Sequence, residues 1–148
     1  YSREFYALAR ARLRPGGYLS QWLPAYQVPP DTTLAMVRAF VDVFPQAVLL
    51  SGAQSDLLLV GANDSRITID PGTVARRLSE VPAVREDLER VDLGRVHEIV
   101  GTFVASAQTL AAGTSGVSPV TVVTTEMAWR PTLPTVAGSR GLFVGALS

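Results

Sequence analysis

Apolar residues recur at helical spacing from Phe5 and Tyr6 through Leu8 and Ala9 to Leu13, while Arg3, Glu4, Arg10, Arg12 and Arg14 take most of the other positions. That pattern predicts an amphipathic helix with one buried face, opened by Ser2 as its cap. Pro15-Gly16-Gly17 ends it, because proline cannot continue the helix and glycine accepts the positive backbone angles of a turn. The period then changes. Tyr18 to Leu23 is a short aromatic and apolar run that stops before Pro24, which predicts a buried strand with Gln21 near its end. Pro29-Pro30-Asp31 opens a second helix with Leu34, Val37, Phe40, Val41 and Phe44 on the core side and Arg38 and Asp42 outside, and Pro45 closes it. Residues 47–50 and 56–62 read as two strands, and so short a connection between them demands an antiparallel hairpin.

Asp70-Pro71 predicts a further helix start, with Val74, Leu78 and Val81 as a modest apolar stripe. Residues 92–110 read as one more helix, carried by Leu93, Val96, Ile99, Val100, Phe103 and Val104 and weakened by Gly94 and Gly101. From Thr114 onward neither period persists, and the tail is expected to be irregular. Helix, turn, strand, helix, strand, hairpin and strand is the order of the second half of an open α/β sheet whose last pair runs antiparallel. The first half of that sheet is expected upstream of this chain, so Tyr18 to Leu23 reads as an interior parallel strand parted from its neighbours.

Composition narrows the classes. A chain of 148 residues with 47% hydrophobic content holds enough apolar material for one packed core. Its formal net charge is zero and its 13 basic residues, all arginine, do not cluster; the electrostatic footprint of a nucleic-acid or anionic-membrane binder is therefore missing. There is no cysteine, which removes disulfides, thiolate metal sites and a thiol nucleophile. The longest apolar runs fall well short of the roughly 20 residues that span a bilayer, so no segment is expected to cross one. The chain opens Tyr1-Ser2-Arg3 without an initiator methionine or a charged leader, and the expectation is a piece of a longer cytoplasmic protein, or the cytoplasmic domain of a membrane-fused one. His97 lacks a second metal-ligand type at suitable spacing and reads as an ordinary helix histidine, so no metal site is expected. Asp87, Glu89 and Asp92 alternate with Arg85, Arg90 and Arg95, a pattern of solvated local ion pairs. Ser51-Gly52 and residues 113–116 lack phosphate-loop or nucleophile-elbow spacing and read as turns.

Tyr1-Ser2-Arg3-Glu4-Phe5-Tyr6, Leu13-Arg14-Pro15-Gly16-Gly17 and Gln21-Trp22-Leu23-Pro24-Ala25-Tyr26-Gln27, in this order and spacing, resemble the spermidine synthase-like family, especially bacterial forms fused to membrane segments. Asp56-Leu57-Leu58-Leu59-Val60-Gly61 is similar to that family's penultimate strand. The Pro-Gly-Gly turn is shared with many S-adenosylmethionine-dependent methyltransferases, and the Phe-Tyr and Gln-Trp-Leu elements narrow the choice. The resemblance implies the carboxy-terminal half of a Rossmann-like, methyltransferase-type α/β sheet over residues 1–112, mixed because its last hairpin is antiparallel, followed by an irregular tail over 113–148. It implies aminopropyl transfer in polyamine biosynthesis: an amine of a polyamine attacks decarboxylated S-adenosylmethionine, and an upstream carboxylate deprotonates or orients the amine. The glycine-rich loop, the ribose-binding acid and the catalytic Asp of the family precede the position of Tyr1, so no catalytic residue and no bound cofactor are assigned to this chain.

Gln21 matches the family's Gln at a strand end, where open α/β sheets hold their ligands; it contacts ligand or bonds a neighbouring loop. Trp22 and Tyr26 either wall the same pocket or are core aromatics. Related proteins end with two acids and a proline soon after a Val-Thr pair, whereas Val120-Thr121 here runs into Val122-Val123-Thr124-Thr125. That departure suggests a reading-frame slip near Thr121. Three functions stay open: an aminopropyltransferase inactive without its other half, a methyltransferase of the same architecture, and a non-catalytic domain keeping the fold. A sheet parted from its neighbours exposes an unpaired edge and an uncovered apolar face, so the chain is expected to form a homodimer or aggregate.

Overall fold

Ser2 does begin the first helix. Residues 1–52, 56–64 and 66–122 are described by the computed structural model, in which the Ser2 hydroxyl accepts from the Phe5 N–H at 3.3 Å at the start of α1 (Arg3–Arg12). The turn at Pro15-Gly16-Gly17 follows, with Gly16 at φ +71°, where a residue bearing Cβ would be strained. Asn63 pins this turn from far along the chain. Its backbone N–H reaches Gly17 O at 2.9 Å, its side chain donates to Leu13 O at 3.0 Å, and its Oδ1 accepts from Arg10 Nε at 3.3 Å.

β1 (Tyr18–Leu23), α2 (Pro30–Val43), β2 (Val48–Ser51) and β3 (Leu57–Ala62) come next, close to their expected bounds. The β2–β3 hairpin is antiparallel, as its short connection requires. The sheet runs β1-β3-β2-β4 and is antiparallel at every described pairing. Two expectations are corrected here. The described sheet is not mixed, and among the described residues Tyr18–Leu23 is an edge strand whose one partner, β3, opposes it. β1 and β2 nevertheless run in the same direction, since each opposes β3, and α2 is the crossover between them.

The region 92–110 is a further correction. It divides into α5 (Val96–Gly101), β4 (Phe103–Ser106) and α6 (Ala107–Gly113). Helical spacing placed Phe103 and Val104 on a stripe, but β2 offers them a free edge, and Ser51 N–H reaches Thr102 O at 2.7 Å just before β4 begins. Ser106 then caps α6 by accepting from Thr109 N–H at 3.3 Å. Asp70-Pro71 opens α3 (Pro71–Glu80) as expected, with Thr73 N–H donating to the Asp70 carboxylate at 2.6 Å. α4 (Pro82–Glu89) packs on α3, as does α5, and neither α4 nor α5 contains a fully buried residue. Their surface carries the expected ion pairs Arg90–Asp87 at 2.8 Å and Arg85–Glu89 at 3.5 Å, while Arg95 lies 3.7 Å from Glu98, outside the expected group, and His97 is exposed.

The core lies between one sheet face and the layer α1, α2, α6. Strand alternation turns Leu19, Gln21 and Leu23 toward that layer, together with Leu57, Leu59 and Gly61 of β3, Leu49 of β2 and Ala105 of β4. Tyr6, Phe40 and Phe44 fill the centre, with Tyr6–Phe40 and Phe40–Phe44 ring centroids both 4.9 Å apart. The predicted stripe of α1 is only partly buried: Tyr6 is enclosed, while Phe5 is 49% and Leu8 56% exposed. Leu34, expected on the core side of α2, is also exposed. Beyond α6 the chain is irregular up to residue 122, yet Val120 is buried between α1 and α2, donating to Ala35 O at 3.2 Å and accepting from Arg3 N–H at 2.9 Å. The rest of the expected tail, with the altered ending assigned to a frame slip, lies outside the described residues. Among the described residues no helix is long and apolar enough to cross a membrane.

Candidate functional site

The carboxyl ends of β1 and β2 share one rim of the sheet with the start of β3, because Leu23 pairs with Leu57 and Ser51 pairs with the same residue from the other side. Trp22, next to the end of β1, turns to the sheet face away from α2. Its indole Nε1 donates to Asp56 Oδ1 at 3.0 Å. Pro24 then breaks the strand, and the turn that follows, closed by Gln27 N–H on Pro24 O at 2.8 Å, brings the Tyr26 ring edge-on to Trp22 with centroids 6.1 Å apart. Tyr26 is 63% exposed. Two aromatic rings and a carboxylate therefore stand together at the rim. Asp56 keeps acceptor capacity beyond the indole bond, and aromatic faces with a carboxylate suit an organic cation.

Gln21 is not part of that group. Adjacent residues on a strand point to opposite faces, so Gln21 leaves β1 on the helix side while Trp22 leaves on the other. The backbone explains where its amide goes. Asn63 N–H on Gly17 O continues the β1–β3 register by one pair, so Leu19, Gln21 and Leu23 exchange bonds with β3, and Tyr18, Ser20 and Trp22 turn their backbone groups outward. Gln21 Nε2 donates to the outward Trp22 carbonyl at 3.0 Å. Its side chain thus covers one acceptor on an edge that pairs with no other strand among the described residues.

The three residues named from the sequence are accordingly divided: Trp22 and Tyr26 together, Gln21 apart. Asp56 is the member that sequence reasoning passed over, read only as the first residue of a strand. Its partnership with Trp22 depends on β1 pairing with β3 across 34 residues of chain, and no local pattern carries that. No family model, no curated protein and no solved structure matches the chain.

Proposed function

We propose that this chain is the substrate-side half of a spermidine synthase-like aminopropyltransferase, completed by an upstream half that supplies the nucleotide-binding loop and the catalytic acid. The flank beside β1 carries the reading. Its edge strand YLSQWL holds no charge and no proline, whereas edges that face water are ordinarily blunted by one of these or by a bulge. α1 is the outer helix on this side, since it packs on α2 and α2 packs on α6. Leu8 lies on the half of α1 opposite Tyr6, and Phe5 stands beside Tyr6 with its ring edge-on to it at 5.5 Å; Phe5, Leu8 and Tyr1 are 49%, 56% and 40% exposed. An uncharged edge beside an apolar helix stripe fits a further strand and helix of the same sheet. The crossover β1-α2-β2 with β3 inserted antiparallel suits the last strands of the sheet that the resemblance implies.

In this reading Trp22, Tyr26 and Asp56 hold a cationic end of the polyamine. The neutral amine at its reacting end attacks the carbon next to the sulfonium of decarboxylated S-adenosylmethionine; a C–N bond forms, the C–S bond breaks, 5′-methylthioadenosine leaves, and the amine proton passes to the upstream carboxylate. A second reading, a non-catalytic domain of the same fold, is favoured by Gln21, whose amide is engaged within its own strand.

Isothermal titration of the full-length protein separates them. Binding of decarboxylated S-adenosylmethionine and 5′-methylthioadenosine is expected, with polyamine affinity lowered about tenfold by Asp56→Asn, the scale of one charge-assisted contact. A preference for S-adenosylmethionine would move the assignment to a methyltransferase, and silence with all nucleosides would leave the non-catalytic domain.

A further inference from the structure

We propose a second binding site, separate from the Trp22, Tyr26 and Asp56 group, at the seam between the sheet, residues 66–69 and α5, taking an amphipathic organic anion with a medium-chain apolar body and a carboxylate-type head at Arg66. A cavity of about 530 Å³ opens there, within the range of small-molecule clefts. Its walls come from four parts of the fold: Val48 of β2, Phe103 of β4, Val100 of α5, and residues 66–69 between β3 and α3. Ile67 and Ile69 add to the apolar lining, leaving Thr68 and Arg66 as its polar members.

The charge pattern selects the ligand's sign. Arg66 is the one charged residue of the lining among the described residues. The acids nearest to it in sequence are turned elsewhere: Asp64 lies 4.0 Å from Arg10, and Asp70 accepts from Thr73 N–H at the start of α3. A cationic ligand meets a guanidinium and hydrocarbon, and a neutral one leaves the exposed Arg66 guanidinium to water and gains nothing from it. An anionic head with an apolar body satisfies both. Phe103 is 47% exposed in a strand position, so the body has an aromatic surface to cover.

The site does not depend on the aminopropyl reading. Trp22 lies on β1 and Val48 on β2, with the whole of β3 between them, so loss of polyamine binding leaves this cavity untouched. Occupancy has a mechanical consequence as well. α5 contains no fully buried residue, and a ligand touching Val100 and the sheet at once ties α5 to the strands.

The test is titration of the full chain with octanoate, octanol and octylammonium, each below its aggregation concentration. Saturable octanoate binding is expected, about tenfold tighter than octanol, with octylammonium weaker than both. Arg66→Ala should abolish the octanoate preference, and Thr68→Trp, at an exposed position, should block all three. Amide exchange in residues 96–101 should slow when octanoate binds. Equal affinity for octanoate and octanol, no saturable binding, or binding unchanged in both variants would each overturn the proposal; the ligand series on the unaltered chain holds whether or not a variant folds.

Discussion

Tyr6 is the most constrained side chain of α1: it is fully enclosed, packs edge-on against Phe40, and its hydroxyl has no hydrogen-bond partner among the described residues. Burial first, and repulsion from the Tyr1 phenolate second, push its phenol up from the ordinary tyrosine range. An acid whose folded pKa is raised keeps its proton in the folded chain and loses it in the unfolded one, so stability is complete below about pH 10 and falls as pH rises past that value. Tyr6→Phe removes a buried, unpaired hydroxyl and should raise stability by about 1 kcal/mol at neutral pH. It should also flatten the alkaline loss. Urea melts at pH 7 and above pH 10 check both, and a destabilised variant would mean the hydroxyl has a partner. Gln21→Ala makes a different kind of change. It uncovers the Trp22 carbonyl on a free edge, so the stability cost should stay within about 1 kcal/mol while sedimentation velocity detects more association. Unchanged association with weaker nucleoside or polyamine binding would return Gln21 to a ligand role.

At the scale of elements, the approach of α2 to β3 is set by a missing side chain. A Cβ on Gly61 would stand 2.5 Å from Phe44 Cγ, and Phe44 is fully buried. Gly61→Ala should therefore cost about 1–3 kcal/mol by overpacking, measured by chemical denaturation; a near-neutral result would show that α2 slides without penalty. The elements that were legible had local punctuation: Ser2 before α1, Pro15-Gly16-Gly17 after it, Pro45 after α2, Asp70-Pro71 before α3. β4 had punctuation too, in Gly101 before it and the Ser106 cap after it, but its apolar residues also fit a helical stripe. The free edge of β2 decided between them, and that edge is more than 50 residues away in the chain, as the bond from Ser51 to Thr102 O attests.

For the whole molecule, the dominant feature is asymmetry between its two lateral flanks and two faces. One face of the sheet is sealed by α1, α2 and α6, while Tyr18 on the other is 56% exposed, and the β1 flank adds Phe5 and Leu8. The chain by itself should associate through that flank, and replacing Phe5 and Leu8 together by lysine should shift it toward monomer in sedimentation equilibrium without loss of the helical signal. Association unaffected by the pair would place the contact on the other sheet face, around Tyr18, instead.

The order of residues alone determined where the chain turns, which helices are capped, and that residues 47–62 fold back as a hairpin, because proline, glycine and capping side chains act over a few residues. It also supplied the aromatic pair Trp22 and Tyr26. Only the tertiary structure decided that β3 lies between β1 and β2, that the free edge of β2 draws Phe103–Ser106 out of a helical pattern, and that Asp56 meets Trp22 while Gln21 turns to the opposite face. Each of these rests on strand pairing between distant segments, whose energy comes from the partner strand and so leaves no local pattern to read.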